Sequence, residues 1–190
     1  MKIRNQIFAL IGLTILWSCK NDDEASVEPQ LFISAEFQNS SLKYEQTVFD
    51  GGVNGFINTF SKLDKTTNLQ TFKNGTDNTD GFWTIRMVNI DIESLNLPYV
   101  LKSDEGTISW IDESAKGLQP PCSAPDVLCF YSGVGESEIE MTITEVQDGI
   151  ITGEFEGRLF HHRFNPTYTK DLNDYVDISK GSFSIQYQSN

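Results

Sequence analysis

The amino-acid sequence predicts an all-β domain, folded as an antiparallel β-sandwich, with a lipocalin-like or other β-barrel as the alternative. Short segments rich in β-branched and aromatic residues alternate apolar with polar side chains, which is the two-residue period of a half-buried strand. Clusters of Gly, Asn and Asp separate these segments, and no stretch of ordinary helix length shows a helical hydrophobic period. Thirteen phenylalanines supply bulky apolar volume for a space between two sheets.

The first predicted strand covers residues 31–37, where apolar side chains occupy every second position. A turn at residues 39–41 leads into a return strand that begins at Leu42. The further strands predicted before the C-terminal third are residues 56–60, 82–92, 99–101 and 107–111.

The C-terminal third carries a predicted β-hairpin. Alternating apolar residues predict a strand over residues 139–144, and Asp148-Gly149 predicts a tight turn because this pair tolerates positive φ angles. A partner strand follows over residues 151–159. Gly153 and Gly157 on its inner face indicate close approach of another sheet or a bend in the strand.

A last strand is predicted over residues 176–187. Its apolar positions change parity between Ile178 and Phe183. An extra residue in one strand causes such a change, so we expect a β-bulge near Ser179-Lys180-Gly181.

The N-terminus has the three-part layout of a secretory signal peptide, assigned to residues 1–18. Lys2 and Arg4 come first, residues 7–17 carry no charge, and the small residue Ser18 follows. The alternative is an uncleaved membrane helix, but the apolar run is shorter than the ~20 residues that span a bilayer.

The tetrapeptide Leu16-Trp17-Ser18-Cys19 resembles the lipobox of bacterial lipoproteins, with Trp17 departing from the small residue usual at its position. The resemblance implies cleavage before Cys19 and acylation of that cysteine, hence a lipid anchor in the outer membrane. Lys20 and the acidic residues at 22–24 resemble the surface-export tag of Bacteroidota lipoproteins. An ordinary solvated tether over residues 19–30 is the alternative, with the domain then on the periplasmic face.

The single predicted domain covers residues 31–190. The segments MTITEVQDGIITGEFEGRL and YVDISKGSFSI within it are similar to a recurrent pattern in Bacteroidota lipoproteins, whose all-β domain is largely uncharacterised. This resemblance implies location and fold, and it transfers no catalytic residue.

The charge balance excludes nucleic acid as a partner. The chain has 14 Lys and Arg residues against 27 Asp and Glu residues, and a formal net charge of −13. Binding to phosphates requires an excess of cations. Membrane attachment is therefore expected through acyl chains on Cys19, and the remaining partner classes are glycans and envelope or surface proteins.

Cys122 and Cys129 form an even pair once Cys19 is lipidated, and an exported protein meets an oxidising environment. We expect a disulfide between them. A pair of metal-ligating thiols is the alternative, although no second Cys or His pair lies at suitable spacing.

The candidate metal and catalytic residues are few. Asn74, Asp77 and Asp80 in an oxygen-rich turn are a calcium candidate, with a plain turn as the alternative, and no other cofactor is expected. Consecutive histidines at 161 and 162 point to opposite faces of an extended strand, so we expect them to mark a strand end before a polar loop at residues 165–173. Glu154 and Glu156 share one strand face beside Arg158, and we expect them to be solvated.

Trp83 and Trp110 lie on predicted strands, where they serve either as a ligand-stacking platform for a sugar or as core residues. Because no nucleophile, phosphate-loop or dinucleotide motif is present, we expect a non-catalytic lipoprotein of the cell envelope or surface with a binding or structural role. A carbohydrate-binding accessory protein of a glycan-uptake system is the first alternative, and a hydrolase is the second.

Overall fold

The computed structural model describes residues 30–37, 40–46, 58–72, 81–112, 129–131, 138–165 and 167–190. These residues form twelve β-strands and one short 3-10 helix, Ile92–Ser94. The strands are β1 Leu31–Phe37, β2 Ser40–Gln46, β3 Thr59–Ser61, β4 Thr66–Phe72, β5 Phe82–Met87, β6 Tyr99–Val100, β7 Gly106–Ile111, β8 Cys129–Tyr131, β9 Glu138–Gln147, β10 Ile150–Asn165, β11 Thr167–Gln186 and β12 Gln188–Ser189. No helix among the described residues is long and apolar enough to cross a membrane.

The strands belong to one large mixed sheet. Its order is β12-β3-β4-β5-β7-β8-β10-β11-β1-β2, with β9 on β10 and β6 on β9. The β12–β3 ladder is parallel and the other ladders between described strands are antiparallel. Only Tyr187 separates β11 from β12, and β12 pairs with β3. The sheet therefore curls so that β3 lies near the C-terminal end of β11. The predicted all-β class is confirmed, whereas the two-layer sandwich arrangement stays a prediction.

The C-terminal hairpin has the register that the sequence predicts. β9 and β10 pair on either side of the turn, where Asp148 and Gly149 have φ angles of 51° and 76°. Both lie in the left-handed region that Asp and Gly tolerate. The local sequence is therefore sufficient to define this turn.

The predicted β-bulge is also confirmed. Phe37 and Gly157, on the two neighbours of β11, both pair with Ile178, whereas Glu36 pairs with Lys180. Ser179 is therefore the extra residue. Before it the even-numbered position Ile178 is buried, and after it the buried positions are odd-numbered, beginning with Gly181.

Gly153 and Gly157 have different roles on β10. The ring of Phe183, from neighbouring β11, occupies the space beside Gly153, so the close approach comes from an adjacent strand and not from another sheet. Gly157 has a φ of 127° at the bulge, and a Cβ there would collide with the carbonyl of Glu138. This position is the predicted bend.

Three predicted boundaries are wrong. The strand predicted over residues 82–92 ends at Met87, because Asn89 has a left-handed φ of 61° that breaks the extended backbone. The last strand begins at Thr167 and not at residue 176. The polar loop expected at residues 165–173 is instead the end of the long β10–β11 hairpin, where the two strands pair from Asn165 and Thr167 onward.

The sequence analysis also missed β4 and β8. On β4, Thr67, Leu69 and Thr71 point inward and are fully buried. Two polar residues on the buried face hide the apolar alternation that identifies a strand.

The core is built around Trp83, whose side chain is fully buried. Its ring centroid lies 5.9 Å from that of Phe155, 6.0 Å from those of Phe37 and Trp110, and 6.5 Å from that of Tyr44. These rings come from strands β1, β2, β5, β7 and β10. One aromatic cluster thus joins strands that are distant in the sheet order.

A buried carboxylate holds the connection between β6 and β7. Glu105 accepts hydrogen bonds from Tyr99 Oη at 2.8 Å, Lys102 backbone N at 3.0 Å and Lys102 Nζ at 2.9 Å. Burial alone would raise the pKa of Glu105, but hydrogen bonds from Lys102 and Tyr99 outweigh it and lower the pKa.

Candidate functional site

A groove of about 520 Å³ lies on the exposed face of β9, β10, β11, β1 and β2. Hydroxyl and carboxylate side chains dominate its lining. The hydroxyl groups belong to Ser34, Ser41, Thr142, Ser179 and Ser182, and the carboxylates belong to Glu36, Glu140, Glu154 and Glu156.

Strand register explains why this face is concave. Ser34 on β1 pairs with Ser182 on β11, with 2.9 Å between their Oγ atoms. Ser182 in turn pairs with Glu154 on β10, and Glu154 with Thr142 on β9. Two short serines thus meet at the centre of the face while longer glutamates stand beside them, which leaves a depression along the sheet.

The β-bulge at Ser179 lies in the same groove. A bulge bends its strand and increases the local twist. Beside it, Lys180 Nζ lies 3.6 Å from Glu36 Oε2, joining β11 to β1. The bulge predicted from sequence parity is therefore part of the groove wall.

The groove is negatively charged. Glu140 and Glu156 pair directly across the β9–β10 ladder and are both exposed. Among the described residues that line the groove, Lys180 is the only cation. Hydroxyl groups donate and accept hydrogen bonds, and carboxylates accept them, so the lining suits a ligand rich in hydroxyl groups or carrying positive charge.

Glu154 and Glu156 lie exposed on one strand face, as predicted. Arg158, predicted beside them, is held by other groups: its Nε donates to Asp177 Oδ1 at 2.8 Å, and its guanidinium lies 3.8 Å from the ring centroid of Tyr175. Arg158 therefore braces β10 against β11.

The structure separates the two candidate stacking tryptophans. Trp83 is fully buried and presents no ring face to an external ligand, so it has the core role that the sequence left open. Trp110 is half-buried, stacks on Trp83 and Phe130, and donates from Nε1 to Tyr44 Oη at 3.3 Å. The pair does not form a surface platform.

His161 is a buried residue near the end of β10. Its Nδ1 lies 2.8 Å from Asp174 Oδ2, and its ring packs on Phe130 with centroids 5.3 Å apart. His162 follows it in the same strand and is less buried. In the described part of the chain, no group of three or more His, Cys, Asp or Glu side chains is placed to hold a metal ion.

Several predicted sites lie outside the described residues: the signal peptide, Cys19 with its tether, Cys122, and the calcium candidate Asn74, Asp77 and Asp80. Cys129 is fully buried at the start of β8.

No protein-family model, no curated protein and no solved structure matches this chain. A functional assignment therefore depends on the chain's own residues.

The sequence analysis did not identify the groove. The outward direction of Ser34, Thr142 and Glu154 follows from strand alternation. Their proximity depends on β9, β10, β11 and β1 being consecutive neighbours, which is a property of the sheet order.

Proposed function

We propose that the protein is a lipid-anchored lipoprotein of the bacterial cell envelope that binds a ligand without chemical conversion, using the groove across β9–β10–β11–β1–β2. The observation that carries the proposal is the groove of about 520 Å³ on the exposed face of these strands. Its lining combines hydroxyl groups with carboxylates, which recognise polar ligands through hydrogen bonds.

The anchor part of the proposal rests on the lipobox-like residues ending at Cys19. Acylation there attaches the domain to the outer membrane, and the acidic tether before β1 separates the two. Replacing Cys19 with serine removes the acylated thiol and should release the protein into the soluble fraction. Membrane retention of Cys19→Ser would contradict the anchor.

The side of the membrane is tested by treating intact cells with proteinase. Loss of the domain from intact cells supports the cell surface, and glycans or surface proteins are then the ligands to screen. Protection until lysis places the domain on the periplasmic face, where envelope proteins become the partners to screen.

The groove is tested by filling it. Ser182→Tyr places a large side chain at the centre of the groove, whereas Ser109→Tyr makes the same change on β7, outside it. We expect an envelope or glycan ligand to bind the wild type and Ser109→Tyr equally and to lose affinity at least tenfold for Ser182→Tyr. Equal binding by both variants would contradict the groove as the binding site.

A carbohydrate-binding role in a glycan-uptake system is the second candidate. It is favoured by the hydroxyl and carboxylate lining, because sugars present hydroxyl groups in both donor and acceptor roles. Binding to a neutral oligosaccharide would support it, whereas binding restricted to cationic ligands would contradict it.

A disulfide between Cys122 and Cys129 belongs to the same proposal, since an exported domain folds under oxidising conditions. Support comes from Cys129, which is fully buried, and from the even number of cysteines that remains once Cys19 is acylated. Peptide mapping without reduction should recover residues 122 and 129 in one linked fragment. Recovery of free thiols at both positions would contradict the pairing.

A further inference from the structure

We propose that a water molecule is bound inside the core between Trp83 and Thr71, accepting a hydrogen bond from the indole Nε1 and donating one to the threonine Oγ1. Both residues are fully buried. Neither Trp83 Nε1 nor Thr71 Oγ1 has a hydrogen-bond partner among the residues that the structure describes. The site is independent of the groove and of the proposed function.

The strand register places the two residues side by side. Thr71 on β4 pairs directly with Trp83 on β5, and both side chains point to the buried face. The Cβ atoms of residues that pair in an antiparallel ladder are about 4.5–5.5 Å apart. A single water with hydrogen bonds of about 2.7–3.2 Å bridges two polar atoms that lie up to about 6 Å apart, which is the spacing that the proposal requires of Trp83 Nε1 and Thr71 Oγ1.

Among the described rings that pack on Trp83, none accepts its indole N–H. Phe37 and Phe155 have no polar side-chain atom, and Tyr44 Oη accepts the indole N–H of Trp110 at 3.3 Å but not that of Trp83. A buried donor without a partner loses its hydration and gains nothing in return. Buried waters occur where two or more such groups converge, and a water supplies both the acceptor and the donor needed here.

Thr67 gives an internal comparison. Its Oγ1 is also buried and has no hydrogen-bond partner in the described part of the chain. Its register partner is Met87, whose side chain offers no N–H group. Thr67 lies four residues from Thr71 on the same strand face, roughly 13 Å along the strand. The two hydroxyl groups therefore do not share one water.

The test is a crystal structure of the wild-type domain and of three variants at a resolution that shows ordered water. We expect a density peak within hydrogen-bonding distance of Trp83 Nε1 and Thr71 Oγ1 in the wild type. Thr71→Ser keeps the hydroxyl and Thr67→Val is the matched control, so both should keep the peak. Thr71→Val has nearly the same shape but no hydroxyl, and it should lose the peak.

The proposal is overturned if the wild type has no peak between these two atoms or if the Trp83 indole donates directly to a protein atom. Persistence of the same peak in Thr71→Val would also overturn it, because the hydroxyl would then not be a partner. In solution, the Trp83 indole proton of the wild type should show a nuclear Overhauser effect to bound water that Thr71→Val lacks. Its presence in both proteins counts against the bridge.

Discussion

The ring of Phe155 lies against Gly181, its partner across the β10–β11 ladder, and fills the space that a Cβ at Gly181 would need. Two residues further along the ladder the roles are reversed, and Phe183 covers Gly153. Each phenylalanine thus occupies the room left by a glycine on the neighbouring strand. This contact explains why both strands contain the pattern Gly-x-Phe.

Gly181→Ala should therefore destabilise the fold. The new methyl group overlaps the Phe155 ring, which is packed against Phe183 and Trp83 and has little room to move. We expect a loss of about 1–3 kcal/mol in the free energy of unfolding, measured by urea denaturation. Ser184→Ala, on the outer face of the same strand, is the control and should change stability by less than about 0.5 kcal/mol.

Combining Gly181→Ala with Phe155→Leu should recover part of this loss. Leucine at position 155 vacates the ring space that the alanine methyl needs, so the double variant should be more stable than the sum of the single effects predicts. A double-mutant cycle from the same denaturation curves measures this coupling. Strict additivity would show that the two residues do not compete for one space.

Gly157→Ala should be more damaging than Gly181→Ala. Gly157 has a φ of 127°, which alanine rarely adopts, and its Cβ would meet the backbone of Glu138, which cannot rotate away. We expect a larger fall in thermal unfolding temperature than for Gly181→Ala. Gly149→Asn is the comparison, because asparagine tolerates the φ of 76° at that turn. A fall for Gly157→Ala that is no larger than for Gly181→Ala, or no larger than for Gly149→Asn, would contradict this order.

Trp83→Ala should remove the centre of the aromatic cluster. The side chain is fully buried, and truncating a buried aromatic residue costs about 3–5 kcal/mol. Trp110→Ala should cost less, since that ring is only half-buried. Chemical denaturation measures the free energy of unfolding of both variants. A larger loss for Trp110→Ala than for Trp83→Ala would contradict the prediction.

Glu105→Gln should lower stability in a pH-dependent way. Because the pKa of Glu105 is lowered from 4.5 in the folded protein, its ionised form stabilises the fold above that value, and this contribution disappears as the pH falls through the folded-state pKa. At neutral pH the substitution should cost about 1–3 kcal/mol. The difference between variant and wild type should shrink as the pH falls.

Urea unfolding of Glu105→Gln at pH 7 and pH 3 measures this dependence. Asp104→Asn changes an exposed neighbour and should show little effect at either pH. A difference that is the same at both pH values would show that the loss comes from packing and not from the charge.

The strands whose buried face is wholly apolar could be located from the sequence, as β1 and β9 show. β4 could not, because Thr67 and Thr71 occupy inward positions and interrupt the apolar alternation. The long end of the β10–β11 hairpin was also missed, since its polar residues resemble a loop. That region is a strand because its backbone pairs with a neighbouring strand, and such pairing leaves no pattern in the local sequence.

The sequence by itself determined the all-β class, the Asp148-Gly149 turn and the bulge at Ser179, because each depends on residues adjacent in the chain. Only the tertiary structure decided that Trp83 is buried and that Ser34 and Ser182 meet at the floor of a groove. Strand alternation assigns a side chain to a face, but which strands become neighbours depends on contacts between residues far apart in the chain. Burial and site geometry follow from that choice.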